Sequence, residues 1–158
     1  MSTYKGKYTV KNKSKYKGDL GNVTYRSSWE KAAMRWCDAN PKVEYWSSEE
    51  TVIPYYYEYD KRYHKYYIDL KIKYNTGKVV LVEIKPNYQT EPPTGSRRTK
   101  KFIREALEYV KNMNKWEAAD TYAKDRNWDF QIWTEETLIK MGIIKNRLKP
   151  LKKIKKRL

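Results

Sequence analysis

Cysteine and histidine are almost absent from this chain of 158 residues, which contains one of each, Cys37 and His64. A single cysteine excludes an internal disulfide, and the two residues together offer too few soft ligands for a zinc site. The chain also lacks a run of about 18 apolar residues and an N-terminal apolar stretch typical of a signal peptide. We therefore expect a soluble, intracellular protein in which carboxylates hold any metal, a ligand type that suits magnesium or manganese.

Acidic residues are scarce relative to basic ones, with 19 Asp and Glu against 35 Lys and Arg and a formal net charge of +16. Such a surplus predicts a polyanionic partner, and nucleic acid fits better than a membrane surface. The length favours one globular domain. We predict a basic N-terminal arm over 1–23 that interleaves Lys and Tyr, a domain over 24–144, and a C-terminal tail over 145–158 with eight basic residues and no acid.

Apolar spacing predicts a short helix that begins at Ser27 and ends before Pro41, followed by strands rich in aromatic and β-branched residues. The strand predictions cover 43–46, 51–57, 63–74 and 78–85. The turn signal at 75–77 joins the last two as a β-hairpin. Because both alternating sets of residues in 78–85 begin apolar, this segment is predicted to be a central strand covered on both faces.

The second half of the chain begins with a predicted loop over 87–98 that contains two prolines and a glycine. A helical pattern follows from Phe102 to Ala123, which Asn112 and Asn114 could divide. A strand over 128–133 and a helix over 135–141 complete the pattern. Helices before, between and after the strands predict an α/β fold, with a central mixed β-sheet flanked by α-helices.

Three residues of the predicted hairpin suggest a chemical site. Glu83 and Lys85 share one face of their strand because side chains alternate with period two, and Asp69 on the preceding strand can lie across from that face. Two converging carboxylates bind a divalent cation, and a neighbouring ammonium stabilises charge during phosphodiester hydrolysis. The alternative is an ordinary cross-strand ion pair, since Glu-x-Lys is a common triplet.

Glu30 is a fourth candidate with two interpretations. Ser27 followed three residues later by Glu30 is the pattern of a capping box, in which the carboxylate serves the start of the helix. The same carboxylate could instead belong to the site.

Several segments together resemble a known family. They are Tyr25 to Glu30, Asp69, Val82 to Pro86, the opening Tyr4 to Tyr8, Lys15 to Gly18, and Trp128 to Glu135. In order and spacing they resemble the head-completion nucleases of contractile-tailed bacteriophages and, more distantly, the endonuclease subunits of heteromeric transposases. The resemblance covers most of the chain, and its separate motifs are weak.

The resemblance implies a restriction-endonuclease-like fold of the PD-(D/E)xK type and magnesium-dependent cleavage of DNA, with Mn²⁺ as a substitute. Glu30, Asp69, Glu83 and Lys85 match the catalytic positions of the family. Asp69 and Glu83 would ligate the metal, with the Ile84 carbonyl as a third ligand. One departure is that Ile68 stands where the family pattern has proline before the aspartate.

Basic side chains outside this site are expected to contact the DNA backbone, although a charge run can equally be a solvated face. The predicted contacts are Arg97, Arg98, Lys100, Lys101, Lys152, Lys153, Lys155 and Lys156. The tail could instead dock on an acidic phage head or neck protein.

The resemblance places the protein in the host cytoplasm during assembly, or in the virion head. Double-stranded DNA is the expected substrate, and the oligomeric state is left open. The alternatives are a noncatalytic DNA-binding or head-joining protein and a junction-resolving or repair nuclease.

Overall fold

The computed structural model describes residues 3–95 and 99–146, which form eight strands and three α-helices. The strands are β1 (Thr3–Lys7), β2 (Thr24–Ser27), β3 (Val43–Ser47), β4 (Val52–Tyr57), β5 (Arg62–Tyr67), β6 (Leu70–Tyr74), β7 (Val79–Ile84) and β8 (Asp129–Trp133). The helices are α1 (Ser28–Ala39), α2 (Lys100–Lys124) and α3 (Glu135–Lys140). No helix in this part of the chain is both long enough and apolar enough to cross a membrane.

A four-stranded mixed sheet in the order β3-β6-β7-β8 is the centre of the fold. The neighbours pair antiparallel except for β7 and β8, which are parallel. All six residues of β7 are buried, which confirms the predicted central strand. The predicted hairpin of β6 and β7 is also confirmed, and its turn contains Gly77 at a φ of 94°, a backbone conformation that glycine adopts without strain.

Alternation along β7 divides the core between the two faces of the sheet. Val80, Val82 and Ile84 lie in a cluster with α1 and the N-terminal segment, whereas Leu81 lies in a second cluster with α2 and the β4–β5 hairpin. Glu83 is on the same face as Leu81. The strand that carries the predicted site is therefore held from both sides.

The N-terminal segment, predicted as a basic arm, packs against the rest of the fold. Tyr8, Val10 and Tyr16 are buried in the first cluster, and β1 pairs with β2. The Lys15 ammonium donates to the carbonyls of Cys37, Asp38 and Asn40 at 2.8–3.0 Å and so caps the end of α1. The tyrosine rings supply the apolar surface that aliphatic side chains would otherwise provide, as expected for a chain rich in tyrosine with only two phenylalanines.

The run over 63–74, predicted as one strand, is two strands that belong to different sheets. β5 pairs with β4, and after Ile68 and Asp69 the chain continues as β6 in the central sheet. The backbone groups of Ile68 at this junction are hydrogen-bonded to the loop before β4. The Ile68 N–H donates to the Thr51 carbonyl at 3.0 Å, and the Ile68 carbonyl accepts from the Glu49 N–H at 3.1 Å. Asp69 consequently lies at the crossover between two sheets.

Helix α2 is not interrupted at the two asparagines that could have divided it. Asn112 is buried, with 1% of its surface exposed. The Asn114 side chain accepts from the Glu58 N–H at 3.0 Å and donates to the Glu58 carboxylate at 3.2 Å. The Asn114 side chain thus serves a tertiary contact, the buried Asn112 Oδ1 has no hydrogen-bond partner among the described residues, and the backbone remains helical.

Candidate active site

The register of the central hairpin brings the predicted carboxylates together. Leu70 pairs with Val82 and Lys71 with Leu81, so one further step in the same register places Asp69 opposite Glu83. Residues opposite each other on an antiparallel pair project from the same face of the sheet. This juxtaposition follows from the hairpin turn and the period of two.

Glu83 is 4% exposed and is held from two sides. The Tyr66 hydroxyl donates to Glu83 Oε1 at 2.6 Å, and the Lys85 ammonium lies 3.2 Å from Glu83 Oε2. Burial works against the charge of Lys85, but Glu83 and Asp69 outweigh it and raise the pKa of the ammonium. Lys85 is therefore a cation throughout the neutral range.

Asp69 has much weaker support for its charge. Its Oδ2 accepts one hydrogen bond, from the Ile84 N–H at 2.7 Å. Burial and the nearby carboxylates of Glu83 and Glu30 raise its pKa well above the ordinary value, and the Ile84 N–H and the Lys85 ammonium offset only part of this. The described residues thus compensate the negative charge of Asp69 only in part.

Glu30 lies in the first turn of α1, where Ser27 is the N-cap residue. Its backbone N–H donates to Ser27 Oγ at 3.1 Å, which caps α1, and its Oε2 accepts from the Ser27 hydroxyl at 3.2 Å. Burial and the charges of Glu49 and Glu83 raise the pKa of Glu30. The helix start accordingly places a third carboxylate close enough for its charge to act on the Asp69 and Glu83 pair.

Two residues near the site were not predicted from the sequence. Tyr66 is one of many tyrosines on alternating strands, and nothing local distinguishes the one whose hydroxyl reaches Glu83. Lys115 of α2 lies with its ammonium 4.8 Å from the centroid of the Tyr66 ring. For Lys115 the sequence could indicate only its position on one face of α2, the face that meets Tyr66 of β5.

The predicted DNA-contacting residues are only partly within the described chain. Lys100 and Lys101 are exposed in the first turn of α2, which Thr99 caps by accepting from the Phe102 N–H at 3.1 Å. Arg97, Arg98, Lys152, Lys153, Lys155 and Lys156 lie outside the described residues. Their predicted contacts stay predictions.

A divalent cation could be held by oxygen atoms of Asp69, Glu83 and the Ile84 backbone. Residues 3–95 and 99–146 contain no group of three His, Cys, Asp or Glu side chains that could hold a metal. A ligand set here therefore needs backbone or water oxygens beside the two carboxylates, as magnesium commonly accepts. The N–H and C=O of one residue point to the same side of a strand, so the Ile84 carbonyl faces Asp69, as its N–H does.

Two comparisons with known proteins show which family the chain is similar to. The family model described as "TnsA-like endonuclease N terminal" matches residues 40–135, a range that contains β3 to β8 and the Asp69 and Glu83 pair. The head completion nuclease of Enterobacteria phage T4 is 38% identical over 144 residues, which are 88% of this chain and 96% of that protein. No solved structure matches the chain significantly.

The mixed sheet flanked by helices and the match to the endonuclease family model define a restriction-endonuclease-like domain. Within that class, the chain belongs to the head-completion nuclease family.

Proposed function

We propose that this protein is a magnesium-dependent DNA nuclease that hydrolyses phosphodiester bonds while phage heads are completed. The observation that carries the proposal is the placement of Asp69 opposite Glu83, with Lys85 on the same face. Family membership supports DNA hydrolysis, and the name of the phage T4 relative supports the assembly step. The net charge of +16 favours a polyanionic substrate.

Asp69, Glu83 and the Ile84 carbonyl would hold the magnesium, and Glu30 would complete the outer environment. When bound, the cation neutralises phosphate charge and favours deprotonation of the attacking water. The raised pKa of Asp69 supports this assignment, because carboxylates that repel one another are stabilised by a cation. Glu83 Oε2, now paired with Lys85, would then share its charge with the metal.

Lys85 supplies the fixed positive charge of the site. Its ammonium can orient the attacking water and stabilise the charge that builds on the phosphate oxygens as the new P–O bond forms and the ester P–O bond breaks. Tyr66 keeps Glu83 in place by donating to the oxygen that does not face Lys85. The two partners of Glu83 thereby define its orientation.

Nicking of supercoiled plasmid tests this function directly. The wild-type protein should nick with Mg²⁺ or Mn²⁺ and not in EDTA, and Lys85→Ala and Glu83→Gln should each cut at least about 100-fold more slowly, as expected for loss of a transition-state donor or a ligand. Lys78→Ala is the matched control, because Lys78 precedes the other end of β7 and pairs with exposed Asp129 at 3.3 Å. It should cut within about twofold of the wild type.

Two results would contradict the proposal. Cutting that persists in folded Glu83→Gln would place the chemistry elsewhere. No cutting by the wild type with either metal would favour a noncatalytic DNA-binding role.

A further inference from the structure

Four basic side chains lie on one face of α2 and form a row that leads to the candidate site. At 100° per residue their positions fall within an arc of about 60°, and at 1.5 Å per residue the row is about 22 Å long. We refer to Lys100, Arg104, Lys111 and Lys115 as the α2 cation row.

The end of the row at Lys115, its inner end, lies beside the proposed catalytic carboxylates Asp69 and Glu83. The Lys115 ammonium lies above the ring of Tyr66, whose hydroxyl donates to Glu83 at 2.6 Å. The charges of Glu83 and Asp69 both act on the Lys115 ammonium. Lys115 is therefore a second lysine beside the site, and it comes from a different element than Lys85.

The four cations lack carboxylate partners among the described residues. No Asp or Glu oxygen in 3–95 or 99–146 lies within 4.0 Å of any of them. On the same helix but off the row, Lys124 pairs with Asp120 at 2.8 Å. Glu108 lies beside the row, and its charge acts on Lys115 without a contact of that length.

Aromatic rings occupy the places where counter-ions would be expected. Lys111 lies 5.2 Å from the centroid of the Tyr57 ring, one helical turn from Lys115 over Tyr66. Both lysines are half-buried, and partly buried ammonium groups without a counter-ion attract anions strongly. A shallow depression of about 350 Å³ beside Tyr57 is lined by Lys100, Arg104 and Lys111 of the row and by Glu108.

Resting on the nuclease function proposed above, we propose that the α2 cation row binds backbone phosphates of the DNA and that Lys115 holds the phosphate next to the bond being cut. The row approaches the site from the N-terminus of α2. A DNA strand that follows this path meets, at both ends of the row, cations that have no carboxylate partner among the described residues. A bound phosphate also gives the half-buried Lys115 ammonium a direct anionic contact, which no carboxylate of the described residues provides.

The outer part of the row is tested by the salt dependence of binding to duplex DNA in EDTA, where cutting is blocked. Each neutralised phosphate contributes about 0.9 to the slope of log K against log salt, so Arg104→Ala with Lys111→Ala should lower the slope by about 1.8. The control, Lys65→Ala with Lys124→Ala, removes the same charge from two exposed lysines away from the row. It should leave the slope unchanged, and equal slopes in both double variants would overturn the proposal.

The inner end is tested with Lys115→Met, which keeps the apolar stem, and Lys115→Arg, which keeps the charge. We expect kcat for plasmid nicking to fall about 100-fold in Lys115→Met, with KM nearly constant and most of the activity kept in Lys115→Arg. Equal losses in the two variants, or cutting by Lys115→Met within twofold of the wild type, would refute the role of Lys115.

The two proposals fail in different ways. If the wild type cuts but the row variants bind and cut normally, only the row is wrong. If the wild type binds through the row and does not cut with either metal, the nuclease function is wrong and the row remains a DNA-binding surface.

Discussion

Asp38 at the end of α1 and Asp69 between β5 and β6 are aspartates whose pKa values the fold shifts in opposite directions. Asp38 is 2% exposed and accepts from the Tyr8 hydroxyl at 2.8 Å and from the N–H groups of Lys11 and Asn12 at 2.8 and 3.0 Å. Burial would raise its pKa, but these donors and the Lys15 ammonium reverse the direction and lower it.

Burial and the neighbouring carboxylates of Glu83 and Glu30 raise the pKa of Asp69, which accepts one hydrogen bond from the described residues. At Asp38 the three donors and the Lys15 ammonium outweigh burial, whereas at Asp69 burial and two carboxylates outweigh one donor and the Lys85 ammonium. Each hydrogen bond to an ionised group contributes about 1.5–3 kcal/mol. The two aspartates therefore have different roles. Asp38 stabilises the fold, and Asp69 is left under-compensated at a place where an external cation can supply the missing charge.

The largest effect is expected when the charge of Asp69 is removed. Asp69→Asn keeps an oxygen that can accept from the Ile84 N–H but removes a proposed metal ligand and the repulsion with Glu83. We expect cutting to fall at least about 1000-fold, as is typical when one member of a concerted catalytic set is lost. The free energy of unfolding in EDTA should stay the same or rise.

Plasmid nicking and guanidinium unfolding of the same preparation measure both parts of this prediction. A loss of activity that is matched by a loss of stability would show Asp69 to be a structural residue like Asp38.

The converse change is Asp38→Ala, which should impair stability without affecting the chemistry. It leaves the Tyr8 hydroxyl and two backbone N–H groups without their acceptor, and we expect a loss of about 3 kcal/mol in the free energy of unfolding. Asp120→Ala serves as the control, because its exposed pair with Lys124 should contribute less than about 0.5 kcal/mol. Equal unfolding midpoints for the two variants would contradict the assignment of Asp38, whereas nicking per folded molecule should equal that of the wild type.

The two aspartates also show what sequence could predict. Asp69, Glu83 and Lys85 could be brought together because a hairpin turn and a period of two determine which side chains share a face. The buried strand β7 was predictable from its continuous apolar composition. Local pattern sufficed wherever the relevant residues are joined by one turn.

Contacts between distant segments were not predictable in this way. Asp38 depends on Tyr8, which is 30 residues away along the chain and in a segment predicted as a basic arm. Lys115 lies above Tyr66 because α2 packs against β4, the strand that pairs with β5. Their roles depend on how two elements dock, and no local spacing encodes that.

The smallest expected effect is the pH dependence of stability without metal. A carboxyl whose pKa is higher in the folded than in the unfolded chain binds more protons when folded, so stability falls as the pH rises from its unfolded pKa of about 4 through its folded pKa. Asp69 is such a group. Asp38 has the opposite sign, and its contribution is fully present above about pH 4 and is lost only as the pH falls through its lowered pKa.

Guanidinium unfolding in EDTA at pH 5 and pH 8 should therefore isolate the site. The wild type should lose on the order of 1 kcal/mol more than Asp69→Asn over this rise, because Asp38 is ionised at both values and cancels from the difference. Excess Mg²⁺ should reduce the wild-type loss, since a ligand bound only to the folded state adds stability that grows with the logarithm of its concentration relative to its Kd. Identical pH dependence in the two proteins would mean that Asp69 already has a counter-charge in the free fold, and the contrast with Asp38 would no longer hold.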